Sequence, residues 1–160
     1  RGLTHIPLLE GEEKIKYLNL QNNKITKIEN LVSLPNLHFL DLSSNKLSEI
    51  TSLNQTMNIR NLILSMNNIT KITNLENFTN LDMIDLHDNN ISGAIDFQTC
   101  FSMLKNLKTL NLSNNSIEDV NINCSMGNLV EINLRHNRIK TFRINSSNLS
   151  SLTKMFLSTN

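Results

Sequence analysis

The chain has 160 residues, with 15 Lys and Arg against 14 Asp and Glu, for a formal net charge of +1. That balance removes the strong electrostatic case for a nucleic-acid or anionic-membrane binder, and only four Gly and two Pro argue against a glycine-rich phosphate loop or a turn-dense β-sandwich. The composition is filled instead by 28 Asn, 26 Leu and 17 Ile, ample for a core, so disorder is not expected.

Residues 1–14 read as a lead-in. Arg1-Gly2-Leu3-Thr4-His5-Ile6-Pro7 lacks the apolar run of a signal peptide, no stretch is long and apolar enough for a membrane span, and Gly11-Glu12-Glu13-Lys14 reads as part of a polar N-terminal cap. From 15 to 160 one pattern returns, with apolar residues at positions 1, 4 and 6 and Asn at position 9. Copies begin at Ile15, Leu37, Ile59, Leu81, Leu107, Leu129 and Leu152. Their Asn residues are Asn23, Asn45, Asn67, Asn89, Asn115, Asn137 and Asn160, at spacings of 22, 22, 22, 26, 22 and 23.

Positions 4 and 6 flank a polar position, so a short strand turns both to one side. No single copy can bury that side. Stacked copies can, and each buried Leu or Ile then contributes about 1.5–3 kcal/mol. The position-9 Asn can donate and accept at once. It is expected to satisfy backbone groups where the strand turns away, and losing one should cost about 1–3 kcal/mol. After the Asn, three-residue spacing (Ile25, Ile28, Leu31, Leu34; Ile69, Ile72, Leu75, Phe78) predicts 3₁₀ or short helical turns behind the strands. Four additional residues within Ser92–Ser102 read as a plain loop on that side. One more, within the Asn/Ser-rich stretch Asn145–Ser151, reads as another loop. The chain stops on Asn160 in mid-copy with an open edge, and it is expected to be part of something longer.

Leu37-His38-Phe39-Leu40-Asp41-Leu42-Ser43-Ser44-Asn45-Lys46-Leu47 fits L-x-x-L-x-L-x-x-N-x-L, and over Ile15–Asn160 the chain is identified as a member of the leucine-rich repeat family. The predicted fold is an α/β-repeat solenoid. It has a parallel concave sheet of about seven strands and a convex side of 3₁₀, short helical or irregular segments. The 22-residue copies with Ile-x-x-Ile after the Asn, as in Asn23-Lys24-Ile25-Thr26-Lys27-Ile28, resemble the short intracellular subclass found in the nuclear regulatory subunit of protein phosphatase 1.

Ile28-Glu29-Asn30-Leu31, Ile72-Thr73-Asn74-Leu75-Glu76-Asn77, Ile84-Asp85-Leu86-His87-Asp88-Asn89 and Glu131-Ile132-Asn133-Leu134-Arg135-His136-Asn137 resemble the leucine-rich subunit of the tubulin polyglutamylase complex. The insertions after Ser92 and near Ser146 depart from its regular array. This resemblance implies a non-catalytic scaffold in a microtubule- or cilium-associated hetero-complex of the cytoplasm and cytoskeleton, where a separate ligase subunit adds the glutamates. Two alternatives stand beside it: a regulatory subunit binding protein phosphatase 1, and an extracellular receptor ectodomain. Nine Asn-x-Ser/Thr sequons, Asn54 and Asn111 among them, speak for the ectodomain. The absence of cysteine-rich caps speaks against it.

Function in a solenoid lies on exposed strand positions. Position 3 reads Tyr17, Phe39, Asn61, Met83, Thr109, Glu131, Lys154, and position 5 reads Asn19, Asp41, Ile63, Asp85, Asn111, Asn133, Phe156. Tyr17, Phe39, Ile63 and Met83 are expected to form one apolar patch flanked by Asp41 and Asp85, the make-up of an interface centre, with a protein partner on it. Lys16, His38 and Arg60 at position 2 form a short basic edge, read chiefly as solvated.

No cofactor, metal or catalytic residue is expected. His87 and His136 lie two copies apart, about 10 Å by strand spacing, too far to share a zinc. Asp41 and Asp85 are equally far apart, with no pocket around them. Cys-x-x-Cys, His-Glu-x-x-His, a nucleophile elbow and a phosphate loop are all missing from the sequence. Cys100 and Cys124 read as buried gap-fillers rather than ligands or a disulfide.

Overall fold

The computed structural model describes residues 2–51 and 57–160. The sequon at Asn54 lies outside the described residues. Strands β1 Tyr17–Asn19, β2 Phe39–Asp41, β3 Asn61–Ile63, β4 Met83–Asp85, β6 Thr109–Asn111, β8 Glu131–Asn133 and β10 Lys154–Phe156 form one parallel sheet in the order β1-β2-β3-β4-β6-β8-β10. The register follows the repeat, with Leu18 opposite Leu40, Leu40 opposite Leu62, Ile84 opposite Leu110 and Ile132 opposite Met155. Positions 4 and 6 point inward as the pattern requires, and Leu40, Leu42, Leu62, Leu64, Ile84, Leu86, Leu110 and Leu112 are fully buried. The sheet is the concave face of a leucine-rich-repeat solenoid.

Every strand leaves the sheet through the same turn. The residue before each ladder Asn has a left-handed backbone: Asn22 (φ 59), Ser44 (φ 53), Met66 (φ 56), Asp88 (φ 51), Asn114 (φ 54), His136 (φ 53) and Thr159 (φ 61). That conformation is disfavoured for residues bearing a Cβ, least so for Asn and Asp. The ladder amide that follows holds the turn in place.

Between β1 and β4 the described residues behind the strands form isolated turns and irregular segments rather than the expected 3₁₀ or short helices, and the second half of the chain departs further. Strands β5 Ser92–Asp96, β7 Ser116–Ile122 and β9 Thr141–Ile144 build a second parallel sheet in the order β5-β7-β9. The physical reason is a change of period. In the first three copies the apolar residues after the Asn are spaced by three. In copies five and six a period of two follows, Val120 then Ile122 and Phe142 then Ile144, while in copy four Ile95 lies in β5 and Phe97 opens the helix that follows. Alternation of that kind makes a strand. Gly93, with φ 76, stands at the register shift between β5 and β7.

The four-residue insertion is likewise not a plain loop. It continues β5 into the helix α1 Phe97–Phe101. Asp96 caps it, its Oδ1 accepting from the Thr99 amide at 3.0 Å and the Thr99 hydroxyl at 3.1 Å. Phe97 and Phe101 are both fully buried, edge to face at 4.9 Å. Four residues amount to about one helical turn, so the longer copy stores its surplus as a turn and rejoins the register at β6. The later insertion forms a single 3₁₀ turn, Ser146–Asn148.

The lead-in bonds as the back half of a repeat does. Leu3 and Ile6 stand 22 residues before Ile25 and Ile28. Leu3 N donates to Asn23 Oδ1 at 2.8 Å, Lys24 N to Leu3 O at 2.7 Å, and Asn30 Nδ2 to Ile6 O at 2.8 Å. Ile6 is buried.

Candidate partner-binding face

The face is built on the Asn ladder, whose geometry is the same from copy to copy. Asn67 Oδ1 accepts from Leu47 N at 2.9 Å, while its Nδ2 donates to Leu42 O in the preceding copy and to Leu64 O and Ser65 O in its own. Asn45, Asn89, Asn115 and Asn137 repeat the arrangement and are all buried. Asn23 and Asn160 make the same kind of bonds with more exposure, Asn160 Nδ2 reaching Leu134 O at 3.0 Å. One amide thus joins two coils and closes its own turn.

Two further polar columns escaped the sequence reading, although both are legible in it. At position 5, Asn19, Asp41, Asp85, Asn111 and Asn133 each accept from the backbone N–H two residues on, at Gln21, Ser43, His87, Ser113 and Arg135. These are Asx turns; Ile63 and Phe156 interrupt the column. The second column precedes position 1. Asn36, Asn58, Asn80, Asn106 and Asn128 donate to the carbonyls of Glu13, Pro35, Met57, Thr79 and Lys105 in the copy before. The strands are therefore tied by side-chain amides at both ends.

On the sheet surface, Tyr17 and Phe39 are register partners whose rings lie 5.7 Å apart. Tyr17 is 75% exposed, while Phe39, Ile63 and Met83 are half-buried. Asn61 separates Phe39 from Met83 at position 3, and Ile63 separates Asp41 from Asp85 at position 5. Three strands thus carry a checkerboard of three apolar and three polar side chains. Asp85 Oδ1 also meets His87 Nδ1 at 2.8 Å, and Asp88 approaches the other ring nitrogen at 3.6 Å.

Arg60 is engaged rather than free. Asp82 lies 3.6 Å from it and 2.9 Å from Lys108, at a polar recess of about 380 Å3 shared with Asn80, Asn106 and Asn128. That pairing leaves Lys16 and His38 as the remainder of the basic edge. At the far end of the sheet the Arg135 guanidinium lies 4.3 Å over the Phe156 ring, a cation–π contact, and Lys154 pairs with Glu131 at 3.2 Å.

Cys124 is buried and Cys100 half-buried, and both thiols are free. Burial pushes the Cys100 thiol up to about 11 and raises Cys124 in the same direction. The bond from the Thr99 amide holds Asp96 below the usual carboxylate range. The Glu118–Lys140 pair, 2.8 Å apart on the second sheet, lowers the acid and raises the base. Among the described residues no group of three or more His, Cys, Asp or Glu could hold a metal ion, and no helix is long and apolar enough to cross a membrane.

The family model for leucine-rich repeats (two copies) matches residues 13–55 and 79–125. Among solved structures, the leucine-rich repeat domain of APL1B is 22% identical with a TM-score of 0.71, over 86% of this chain and 41% of that one. The complex of TLR13 with ssRNA13 is 28% identical with a TM-score of 0.77, over 92% of this chain and 22% of that one. The functional domain of InlJ from Listeria monocytogenes is 19% identical with a TM-score of 0.64, over 96% and 41%. The chain therefore spans less than half the length of each of these structures. No curated protein matches the sequence.

Proposed function

The chain belongs to the leucine-rich repeat family, and from that premise we propose that its concave sheet is a protein-binding face and that it acts as a non-catalytic interaction scaffold. The observation that carries the reading is the run of partly exposed Tyr17, Phe39, Ile63 and Met83 across a sheet in which β2, β3 and β4 are each paired on both sides. Such a surface offers side chains without needing to order itself first, which lowers the entropic cost of association. Asp41, Asp85 and Arg60 rim the patch.

At the finer level we assign the chain to a hetero-complex of the microtubule or cilium, of the tubulin polyglutamylase type. The support is the segments Ile28–Leu31, Ile72–Asn77, Ile84–Asn89 and Glu131–Asn137, which match that subunit's pattern. Affinity capture from ciliated cells tests the assignment. Recovery of tubulin-modifying subunits supports it, and recovery of protein phosphatase 1 alone moves the chain to the phosphatase-regulator class. A glycosidase-sensitive mass would place it outside the cell. The partner face has its own test. Phe39→Glu combined with Ile63→Lys should abolish capture while the melting temperature barely moves, because both side chains are partly exposed. Unchanged capture would refute the concave face.

A further inference from the structure

Position 5 holds a chemical surplus. Its structural task is to accept one backbone N–H, and neutral Asn performs that task at Asn19, Asn111 and Asn133. Asp41 and Asp85 perform it with a single oxygen, Oδ1, and bring a negative charge that the turn does not require. In a chain with 28 Asn, the two carboxylates fall at the two positions that flank Ile63, the apolar interruption of the column. Among the described residues Asp41 has no ion-pair partner, and Asp85 has only His87.

We propose that this centre receives a lysine or arginine side chain from an extended, otherwise apolar segment of the protein partner, the stem lying over Ile63 and the cation between Asp41 and Asp85. The inference rests on the reading of the concave sheet as the partner face. An apolar floor alone fits any aliphatic side chain, and two carboxylates alone make a solvated edge. Together they match a side chain that is aliphatic along its stem and cationic at its tip. Strands about 4.8 Å apart put both carboxylates within one Debye length of a cation seated on Ile63. Phe39 and Met83, diagonal to Ile63 across the checkerboard, accept the apolar neighbours of the basic residue. An acidic segment is repelled from the same place.

The test uses capped synthetic peptides Gly-Ser-Leu-X-Leu-Ser-Gly, with X lysine, norleucine or glutamate, titrated into isotopically labelled protein and followed by NMR. The lysine peptide should shift the amides of residues 39–41, 61–63 and 83–85. It should bind about three- to tenfold more tightly than the norleucine peptide, the range that one or two half-exposed ion pairs supply, with glutamate weakest. Asp41→Asn with Asp85→Asn preserves the turns, as the three native Asn at this position demonstrate. In that variant lysine should fall to the norleucine level. Equal affinity for lysine and norleucine, or a preference that survives the double variant, overturns the cation site and leaves the concave partner face standing. Shifts confined to other surfaces, or no saturation by any peptide up to millimolar concentration, also overturn it. Failure of the wider reading is seen separately, as capture that persists in the Phe39→Glu, Ile63→Lys variant.

Discussion

Replacing a central ladder amide isolates what one side chain contributes to a stack of coils. In Asn67→Ala the three carbonyls that lose a donor each keep another: Leu42 O still accepts from Asn45, Leu64 O from Asn89 and Ser65 O from Ser44 N. Among the described residues Leu47 N has no second acceptor, and it becomes a buried orphan. The loss should therefore be about 1–3 kcal/mol, the penalty for one unsatisfied buried donor, and not the sum of four bonds.

Asn67→Asp separates the two halves of the amide. One oxygen still accepts from Leu47 N, but the other faces three carbonyls with no proton between them. Above about pH 4, where a carboxyl ordinarily ionises, this variant should be less stable than Asn67→Ala. Burial raises the folded-state pKa of the introduced carboxyl, so the deficit grows as pH rises through the unfolded value and shrinks below it. At the exposed end, Asn23→Ala should cost less than about 1 kcal/mol, since water replaces the lost bond to Leu3 N. Urea unfolding followed by circular dichroism, from pH 3 to pH 8, measures all three. Equal losses at Asn23 and Asn67, or an Asn67→Asp variant more stable than Asn67→Ala at neutral pH, would refute the reasoning.

Two other perturbations probe the turns. Met66, exposed and at φ 56, occupies a position where Asn22 and Asn114 stand in other copies, so Met66→Asn should stabilise the fold by about 0.5–1 kcal/mol through relief of left-handed strain; a lower urea midpoint would contradict this. Asp96 is held below its ordinary pKa by the Thr99 amide, so its contribution to α1 is present above the unfolded carboxylate value and is lost as pH falls through the lower folded one. The protection of the Thr99 amide, measured as its exchange rate relative to the intrinsic rate at each pH, should fall below about pH 4 in the wild type and stay level in Asp96→Asn.

How much of the face was legible depends on whether a residue's partner lies at a fixed sequence offset. The Asn ladder, the Asx turns at position 5 and the second Asn column at Asn36, Asn58, Asn80, Asn106 and Asn128 bond at offsets that change only where an insertion intervenes, so each is a column that can be counted. The ladder is the plainest because Asn occupies position 9 of every copy, whereas position 5 mixes Asn with Asp, Ile and Phe. The second sheet is less legible, since the three-residue spacing of the early copies predicts turns and gives way to alternation only in the later ones, at Val120 and Phe142. Arg60, Asp82 and Lys108 stand at position 2 of three successive copies, 22 and 26 residues apart, so their pairing also follows the repeat spacing. A basic edge read from Lys16, His38 and Arg60 alone leaves out the carboxylate that engages one of them.

By itself, then, the sequence determined the solenoid: a hydrophobic pattern repeating every 22 residues can be buried only by stacking, and an amide at the ninth position can bridge only neighbouring coils. Stacking also dictated which side chains stand in rows on the exposed sheet. Tertiary structure alone decided how those rows are used. Four surplus residues became a helical turn because Phe97 and Phe101 found room in the core, and the alternating back segments joined as one sheet because stacking brought them into register. Among the described residues Asp41 has no ion-pair partner, whereas Asp82 has two. The room behind the strands for two rings and the distance from Asp41 to any cation are set by packing, which spacing along the chain does not specify.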